Sequence, residues 1–198
     1  MNQLEVQAYF DAHASEWDAR MVRPQAIIDQ ILNAAGVTEG CRVLDVACGT
    51  GVLFEDYLRR GVTRITGVDL SPQMARIARR KYPQSHVEVL CGDIETVVLP
   101  PVFDCCVVYN ALPHFPDPAR LIARLAQFVV TGGRLCLAHS MGREQLLRHH
   151  AGRAEAVSRA LPEADVLCAM FAPHFISDTT ISLPDRYIAA GSRRSHSV

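Results

Sequence analysis

Short, mostly apolar segments recur along this chain and alternate with helix-like segments, and this pattern restricts its fold more than any other feature. Segments 41–47, 64–69 and 103–109 are apolar nearly throughout, unlike strands with one face in water, which alternate apolar and polar residues. Strands of this kind are buried on both faces. The pattern therefore predicts a parallel sheet between two layers of helices.

Further strands are predicted at 86–91 and 134–139, and a pair at 174–182 and 185–191 closes the chain. The last two strands are too close in sequence for a helical crossover, so we expect an antiparallel hairpin. Helices are predicted at residues 3–20, 27–32, 52–60, 71–82 and 117–130, and helical material over 143–171 is expected to be broken near Pro162. The expected fold is one α/β domain, residues 1–198, with three layers and a seven-stranded, mainly parallel sheet.

Composition and charge argue against several classes of protein. The formal net charge is −1, so no general attraction draws the chain to nucleic acid or to an anionic membrane. No run approaches about eighteen apolar residues, and residues 1–5 do not begin a secretion signal, so neither a membrane span nor export is expected. The seven cysteines include no CxxC pair, which predicts reduced thiols in a cytoplasmic protein.

Acidic residues stand at the ends of three successive strands. The first strand runs into Asp45-Val46-Ala47-Cys48-Gly49-Thr50-Gly51, the second ends at Asp69, and Asp93 closely follows the third. In an open parallel sheet, ligands bind beyond the carboxyl ends of the strands, where the strand order reverses. Gly49 and Gly51 permit a tight turn and close approach of a ligand to the backbone. The carboxylate of Asp69 can accept both hydroxyls of a ribose, and Asp93 could meet an adenine edge.

The alternative ligand on such a sheet is a nicotinamide or flavin dinucleotide. Its fingerprint G-x-G-x-x-G requires a third glycine for close helix packing, and Phe54 occupies that position here. The acidic Asp45 before the turn also opposes a pyrophosphate, whereas it suits a cationic amino group. The expected ligand is therefore a nucleoside that carries an amino acid.

With these motifs, and Val43–Gly51 above all, the chain resembles the class I S-adenosylmethionine-dependent methyltransferases of the small-molecule type over residues 9–138. The resemblance implies a Rossmann-like fold, S-adenosylmethionine as methyl donor, and methyl transfer to a small molecule by in-line displacement. Residues 9–18 resemble the N-terminal helix that closes over the cofactor. Segment 103–110 resembles the fourth strand, whose end faces the methionine and the methyl group.

The resemblance also implies a role for individual residues. It places Asp45 near the methionine ammonium, Asp69 on the ribose, and Asp93 at the adenine edge. The full set of expected cofactor-binding residues is Tyr9, Trp17, Asp45, Ala47, Gly49, Gly51, Asp69, Leu70, Met74, Asp93, Ile94 and Asn110. Residues 1–40 are expected to cover the cofactor, and the helical segment 141–173 to cover the acceptor.

Histidines mark the predicted acceptor side. His114 follows the fourth strand and His139 ends the fifth, both on the ligand face, while His149 and His150 lie on the next helix, where His149 shares a side with Arg153. We hypothesise that His114, His139 and either His149 or His150 converge beside the methyl group as a base or as substrate ligands. A metal site at these histidines stays open, although no carboxylate or cysteine completes one.

Two other interpretations come from different classes of protein. The chain could bind the cofactor as a sensor or regulatory subunit, although the complete cofactor loop and the polar acceptor face favour an enzyme. It could also be an aminopropyl transferase, which is expected to carry acidic residues for a polyamine after the fourth strand. This chain has Asn110, His114 and Phe115 there instead.

Overall fold

The strands form one mixed sheet. The computed structural model describes residues 2–151 and 154–195, and within them the sheet has seven strands. They are β1 (Arg42–Val46), β2 (Arg64–Asp69), β3 (Val87–Cys91), β4 (Phe103–Tyr109), β5 (Val129–His139), β6 (Phe175–Leu183) and β7 (Arg186–Arg193). Their order is β3-β2-β1-β4-β5-β7-β6; the first five are parallel, and β7 is antiparallel to both its neighbours. The predicted α/β architecture is thus confirmed, including its C-terminal hairpin.

Helices cover both faces of this sheet. They are α1 (Gln3–His13), α2 (Trp17–Arg20), α3 (Gln25–Ala34), α4 (Phe54–Arg59), α5 (Pro72–Lys81), α6 (Pro118–Leu125), α7 (Arg143–His150) and α8 (Ala164–Phe171). Short 3-10 turns occur at Ala14–Glu16, Leu112–His114 and Glu155–Val157. Among the described residues, no helix is both long enough and apolar enough to cross a bilayer.

Several predicted elements differ from the observed ones. The helix predicted to reach residue 130 ends at Leu125, and β5 begins at Val129. The helix expected over residues 3–20 is interrupted by the 3-10 turn at Ala14–Glu16, where Ala14 is buried. The turn expected at residues 131–133 is part of β5, because the ladder to β4 shifts register there: Phe103 pairs with Val129, and Cys105 with Arg134. The extra residues form a bulge rather than a chain reversal.

The alternation of side chains along the strands explains why the strands are apolar throughout. Val43 and Val107 point to the face covered by α3, α4 and α5. Leu44 and Val108 point to the other face, which α6 and α8 cover. Since neither face meets water, strand residues on both sides must be apolar.

The strand order reverses between β1 and β4. The chain continues from β1 towards β2 and β3 on one side, and from β4 towards β5 on the other. The loops that follow β1 and β4 therefore diverge and leave space above the carboxyl ends of these strands.

Candidate active site

A cavity of about 510 Å³ fills this space. Its volume falls within the range of about 300–1,000 Å³ that is typical of small-molecule sites. Successive strand ends bring Asp45, Asp69 and Asp93 to its wall. The N-terminal segment covers it with side chains from α1 and from the start of α2, namely Gln3, Val6, Gln7, Phe10 and Trp17.

Asp69 joins two of the loops that form the cavity. One carboxylate oxygen accepts a hydrogen bond from the Gly49 backbone N–H at 2.7 Å, and the other accepts from the Ser71 backbone N–H at 2.9 Å. Burial raises the pKa of Asp69 to about 6, and these two donors act in the opposite direction. Each oxygen keeps a second lone pair, so the carboxylate can still accept hydroxyl groups of a ligand.

Asp45 is the more deeply buried of the two carboxyls, with 2% of its surface exposed. Burial raises its pKa to about 8, so the carboxyl is largely neutral at pH 7. The Tyr57 hydroxyl lies close enough to lower this pKa, yet it makes no hydrogen bond of good geometry among the described residues. A cation bound beside Asp45 would favour the ionised form, as a methionine ammonium would do.

The backbone of the cavity wall is unusual at two positions. Ala47 and Asn110 have φ angles of 55° and 54°, a region that side-chain-bearing residues seldom adopt. Asn110 is held there because its side-chain oxygen accepts from the Ser140 N–H at 2.9 Å and its amide donates to the Ser140 hydroxyl at 3.1 Å. Such strain concentrates at ligand-binding sites.

The end of the cavity beyond Asp69 is suited to a flat apolar group. Leu70, Met74 and Ile94 line it, and the last two are almost fully buried. Asp93 follows β3 and accepts the Glu95 N–H at 2.9 Å, which closes the turn there. An adenine could pack between these side chains with Asp93 at its edge.

Ten of the twelve expected cofactor-binding residues line the cavity: Trp17, Asp45, Ala47, Gly49, Asp69, Leu70, Met74, Asp93, Ile94 and Asn110. Tyr9 and Gly51 are not among the lining residues. Tyr9 packs beside Phe10, with ring centroids 5.3 Å apart. Gly51, in the glycine loop, has φ +78°, and an added Cβ there would come within 2.9 Å of the Tyr82 ring. Gly51 thus shapes the loop instead of facing the cavity.

His114 is the histidine that the structure brings to the cavity wall. Its Nδ1 atom lies 2.7 Å from the Val157 carbonyl oxygen, and its ring packs nearly perpendicular to that of Phe10 with centroids 4.9 Å apart. Burial lowers the pKa of His114, so the neutral ring is favoured at pH 7.

The expected convergence of three histidines does not occur at this cavity. His139 is 1% exposed and, by strand alternation, shares the face of Leu135 and Leu137, which α6 and α8 cover. His149 is exposed on α7, and neither residue lines the cavity. The side chain of His150, and Arg153, lie outside the described residues. In the part of the chain that the structure describes, no three histidine, cysteine or acidic side chains form a metal site.

Segment 141–173 contributes no described residue to the cavity wall, contrary to its expected role as a direct cover. Instead Ala154 and Val157 pack against Val6 of α1, and the Arg159 N–H donates to the Pro113 carbonyl at 2.8 Å. The segment therefore supports α1 and the loop of His114 from outside.

Most of the residues that cover the cavity were not predicted from the sequence. Gln3, Val6, Gln7 and Phe10 follow the spacing of one helix face, and this periodicity was the available signal. The role of Val157 had no such signal, because its backbone carbonyl makes the contact.

This strand order, with a cavity above β1 to β4, is that of the Rossmann-like methyltransferase fold. Residues 44–137 match the family described as "Methyltransferase domain", as the sequence motifs predicted. Over these residues, just under half of its length, the chain is similar to that family.

Two relatives with assigned names are similar to about two thirds of this chain. The chain is 34% identical over 143 residues to a protein of Alkalilimnicola ehrlichii named ubiquinone biosynthesis O-methyltransferase, and the match covers 65% of this chain. A protein of Aeromonas salmonicida with the same name is 29% identical over 143 residues. The chain spans little more than half the length of these relatives, 56% and 59% respectively.

Solved structures share the fold at low sequence identity. A chain of the Haloferax volcanii complex between a methyltransferase activator and a methyltransferase superposes with a TM-score of 0.85 at 18% identity, covering 98% of this chain and 99% of that one. The N-methyltransferase NodS of Bradyrhizobium japonicum, solved with S-adenosylhomocysteine, has a TM-score of 0.75 at 16% identity, covering 98% of this chain and 100% of that one.

Proposed function

We propose that this chain transfers the methyl group of S-adenosylmethionine to a small-molecule acceptor and releases S-adenosylhomocysteine. The observation that carries the proposal is the presence of Asp45, Asp69 and Asp93, from three successive strand ends, in the wall of one cavity. A nucleoside joined to a cationic amino acid presents matching groups: an ammonium, a ribose diol and an adenine edge.

In the proposed complex, Asp45 pairs with the methionine ammonium and Asp69 accepts the ribose hydroxyls. Met74 and Ile94 pack against the adenine, which suits their burial. Trp17 covers the glycine loop, since its indole nitrogen lies 3.8 Å from the position of a Cβ built on Gly49.

When bound, the sulfonium supplies an activated methyl group, whose C–S bond breaks as the new bond to the acceptor forms. The protein has to orient the acceptor, exclude water and take up the acceptor's proton. We assign uptake of this proton to His114, because its neutral ring lies in the cavity wall and its Nδ1 atom lies beside the Val157 carbonyl. Phe10 and Phe115 add apolar surface beside it.

We further propose that the acceptor atom is a hydroxyl oxygen on a small, largely apolar ring. A hydroxyl must lose a proton during transfer, and a neutral histidine can accept that proton as a general base. The names of the relatives, which are O-methyltransferases, support the same choice.

All seven cysteines are free thiols, which supports a cytoplasmic location.

The test is to incubate the purified chain with S-adenosylmethionine and a panel of phenols, catechols and amines. We expect release of S-adenosylhomocysteine and an O-methylated product, both detected by chromatography and mass spectrometry. Tight binding of S-adenosylhomocysteine without turnover on any acceptor would favour a sensor. Release of methylthioadenosine from the decarboxylated cofactor would favour an aminopropyl transferase.

A further inference from the structure

Two carboxylates of the N-terminal segment each bind a hydroxyl group in a different cavity-forming loop. Asp11 of α1 accepts the Ser71 hydroxyl at 2.5 Å and the Gln73 backbone N–H at 3.1 Å. Asp18 of α2 accepts the Thr50 hydroxyl at 2.5 Å. The first contact ties α1 to the loop after β2, and the second ties α2 to the glycine loop after β1.

The burial of the two hydroxyls makes these contacts costly to lose. Thr50 is 0% exposed and Ser71 is 1% exposed, so water cannot readily replace a missing partner. A hydrogen bond to a carboxylate is also stronger than one between neutral groups. Asp18 has a second partner in Lys81, whose ammonium lies 2.7 Å away, but both of these side chains are partly exposed and their ion pair is worth little.

Asp69 completes a connection between the two loops, since it accepts the backbone N–H groups of Gly49 and Ser71. Asp11 and Asp18 of the N-terminal segment connect the same two loops a second time. The resulting ring of side chains and backbone groups runs through Asp11, Ser71, Asp69, Gly49, Thr50 and Asp18.

We propose that Asp11 and Asp18 are positioning residues for the cofactor: through Ser71 and Thr50 they hold the two loops at the spacing that lets Asp69 receive the ribose. The inference rests on the proposed function, because it assigns these loops to S-adenosylmethionine. Neither carboxylate lines the cavity, so each acts through the hydroxyl that it binds.

The same turn of α1 links the cofactor side to the acceptor side. Phe10 precedes Asp11 and packs against His114. When Asp11 holds α1 on Ser71, it therefore also holds Phe10 against the ring that we assign to the acceptor's proton.

The test is a double-mutant cycle on Asp18 and Thr50, with the affinity for S-adenosylhomocysteine measured by calorimetry. We expect Asp18→Ala and Thr50→Val each to weaken binding by about tenfold, as one lost charge-assisted hydrogen bond allows. The double variant should be no weaker than the worse single variant, because both remove the same interaction. Asp11→Ala should weaken binding similarly, and in turnover assays the loss should fall on KM for the cofactor more than on kcat.

Three controls separate positioning from general stability. Glu16→Ala removes an exposed carboxylate two residues from Asp18, and should bind S-adenosylhomocysteine within twofold of the unmodified chain. Lys81→Ala removes the other partner of Asp18 and should have a similarly small effect. Asp18→Asn keeps an oxygen that can accept from Thr50, and should retain most of the affinity. If Asp18→Ala does not fold, Thr50→Val carries the test, because it removes the same hydrogen bond.

The proposal is overturned if S-adenosylhomocysteine binds Asp11→Ala and Asp18→Ala as tightly as it binds the unmodified chain, or if the effects of Asp18→Ala and Thr50→Val add. Failure of the proposed function gives a different result, because the unmodified chain itself would then not bind S-adenosylhomocysteine.

Discussion

The Nδ1 atom of His114 lies 2.7 Å from the carbonyl oxygen of Val157. A carbonyl can only accept a hydrogen bond, so Nδ1 carries the ring proton, and Nε2 holds the lone pair of the neutral imidazole. A backbone group outside the cavity thus sets the tautomer of the residue that we assign to proton transfer.

Replacing His114 distinguishes a role in proton transfer from a role in cofactor binding. His114→Asn keeps an amide N–H that can reach the Val157 carbonyl but removes the basic nitrogen. We expect kcat to fall by about a hundredfold or more, as for loss of a general base. Affinity for S-adenosylhomocysteine should change less than threefold. Steady-state kinetics and calorimetry measure the two effects.

The matched control for this variant is His149→Asn, on the exposed surface of α7. It should retain the activity of the unmodified chain, because His149 does not line the cavity. Full activity in His114→Asn would show that His114 only supports the fold.

Gly51→Ala tests the shape of the glycine loop. Gly51 has φ +78°, and an added Cβ would come within 2.9 Å of the Tyr82 ring. Gly40→Ala is the control, since Gly40 has φ +85° but no atom within 4 Å of the added carbon. Both variants should lose about 1–2 kcal/mol of stability from the backbone alone. Gly51→Ala should lose more in thermal unfolding and should also bind S-adenosylhomocysteine at least tenfold more weakly. Equal behaviour of the two variants would contradict the crowding at Tyr82.

Cofactor affinity should depend on pH through Asp45. Its pKa is raised to about 8 in the ligand-free protein, and an adjacent ammonium favours the ionised form. Binding should therefore release a proton, so affinity for S-adenosylhomocysteine should rise with pH and level off above about 8. The slope cannot exceed about tenfold per pH unit for one proton.

Calorimetry between pH 6.5 and 9 measures this profile. Tyr57→Phe removes the neighbouring hydroxyl that lowers the pKa of Asp45, and should shift the plateau to higher pH. A profile that is flat in the unmodified chain would rule out Asp45 as the ammonium partner.

Asp45 should also make the ligand-free protein less stable at alkaline pH. Its pKa rises from the ordinary value of 3.8 to about 8 on folding, so the fold favours the neutral acid. The stability that this provides is complete below about pH 4 and is lost as the pH rises through 8. Asp45→Asn stays neutral, so its Tm relative to the unmodified chain should increase by several degrees between pH 5 and pH 8.5.

Differential scanning fluorimetry measures this difference. Saturating S-adenosylhomocysteine should reverse the sign of this Tm difference, because the ligand stabilises the unmodified chain and binds the variant poorly. A Tm difference that is the same at both pH values would contradict the raised pKa.

The sheet and the cofactor side of the cavity could be predicted because their signals are local. Apolar strands predict burial on both faces, and the carboxyl ends of parallel strands must meet at one edge of the sheet. Asp45, Asp69 and Asp93 therefore come together whatever the exact lengths of the connecting helices. The position of Phe54 in place of a third glycine likewise depends only on spacing along the chain.

The acceptor side could not be predicted in the same way. His114 follows β4 and His139 is the last residue of β5, yet His114 lines the cavity and His139 is buried beneath helices. A shift of one residue along a strand moves a side chain to the opposite face, and strand ends leave that register open.

The sequence by itself determined the strand pattern, the glycine loop and the three acidic strand ends, on which the proposed cofactor rests. Only the tertiary structure decided that the Val157 carbonyl orients His114, and that Asp11 and Asp18 bind Ser71 and Thr50. The physical reason is that these contacts join residues 32 to 60 positions apart. Their formation depends on how two covering segments fold back over the sheet, which no local periodicity encodes.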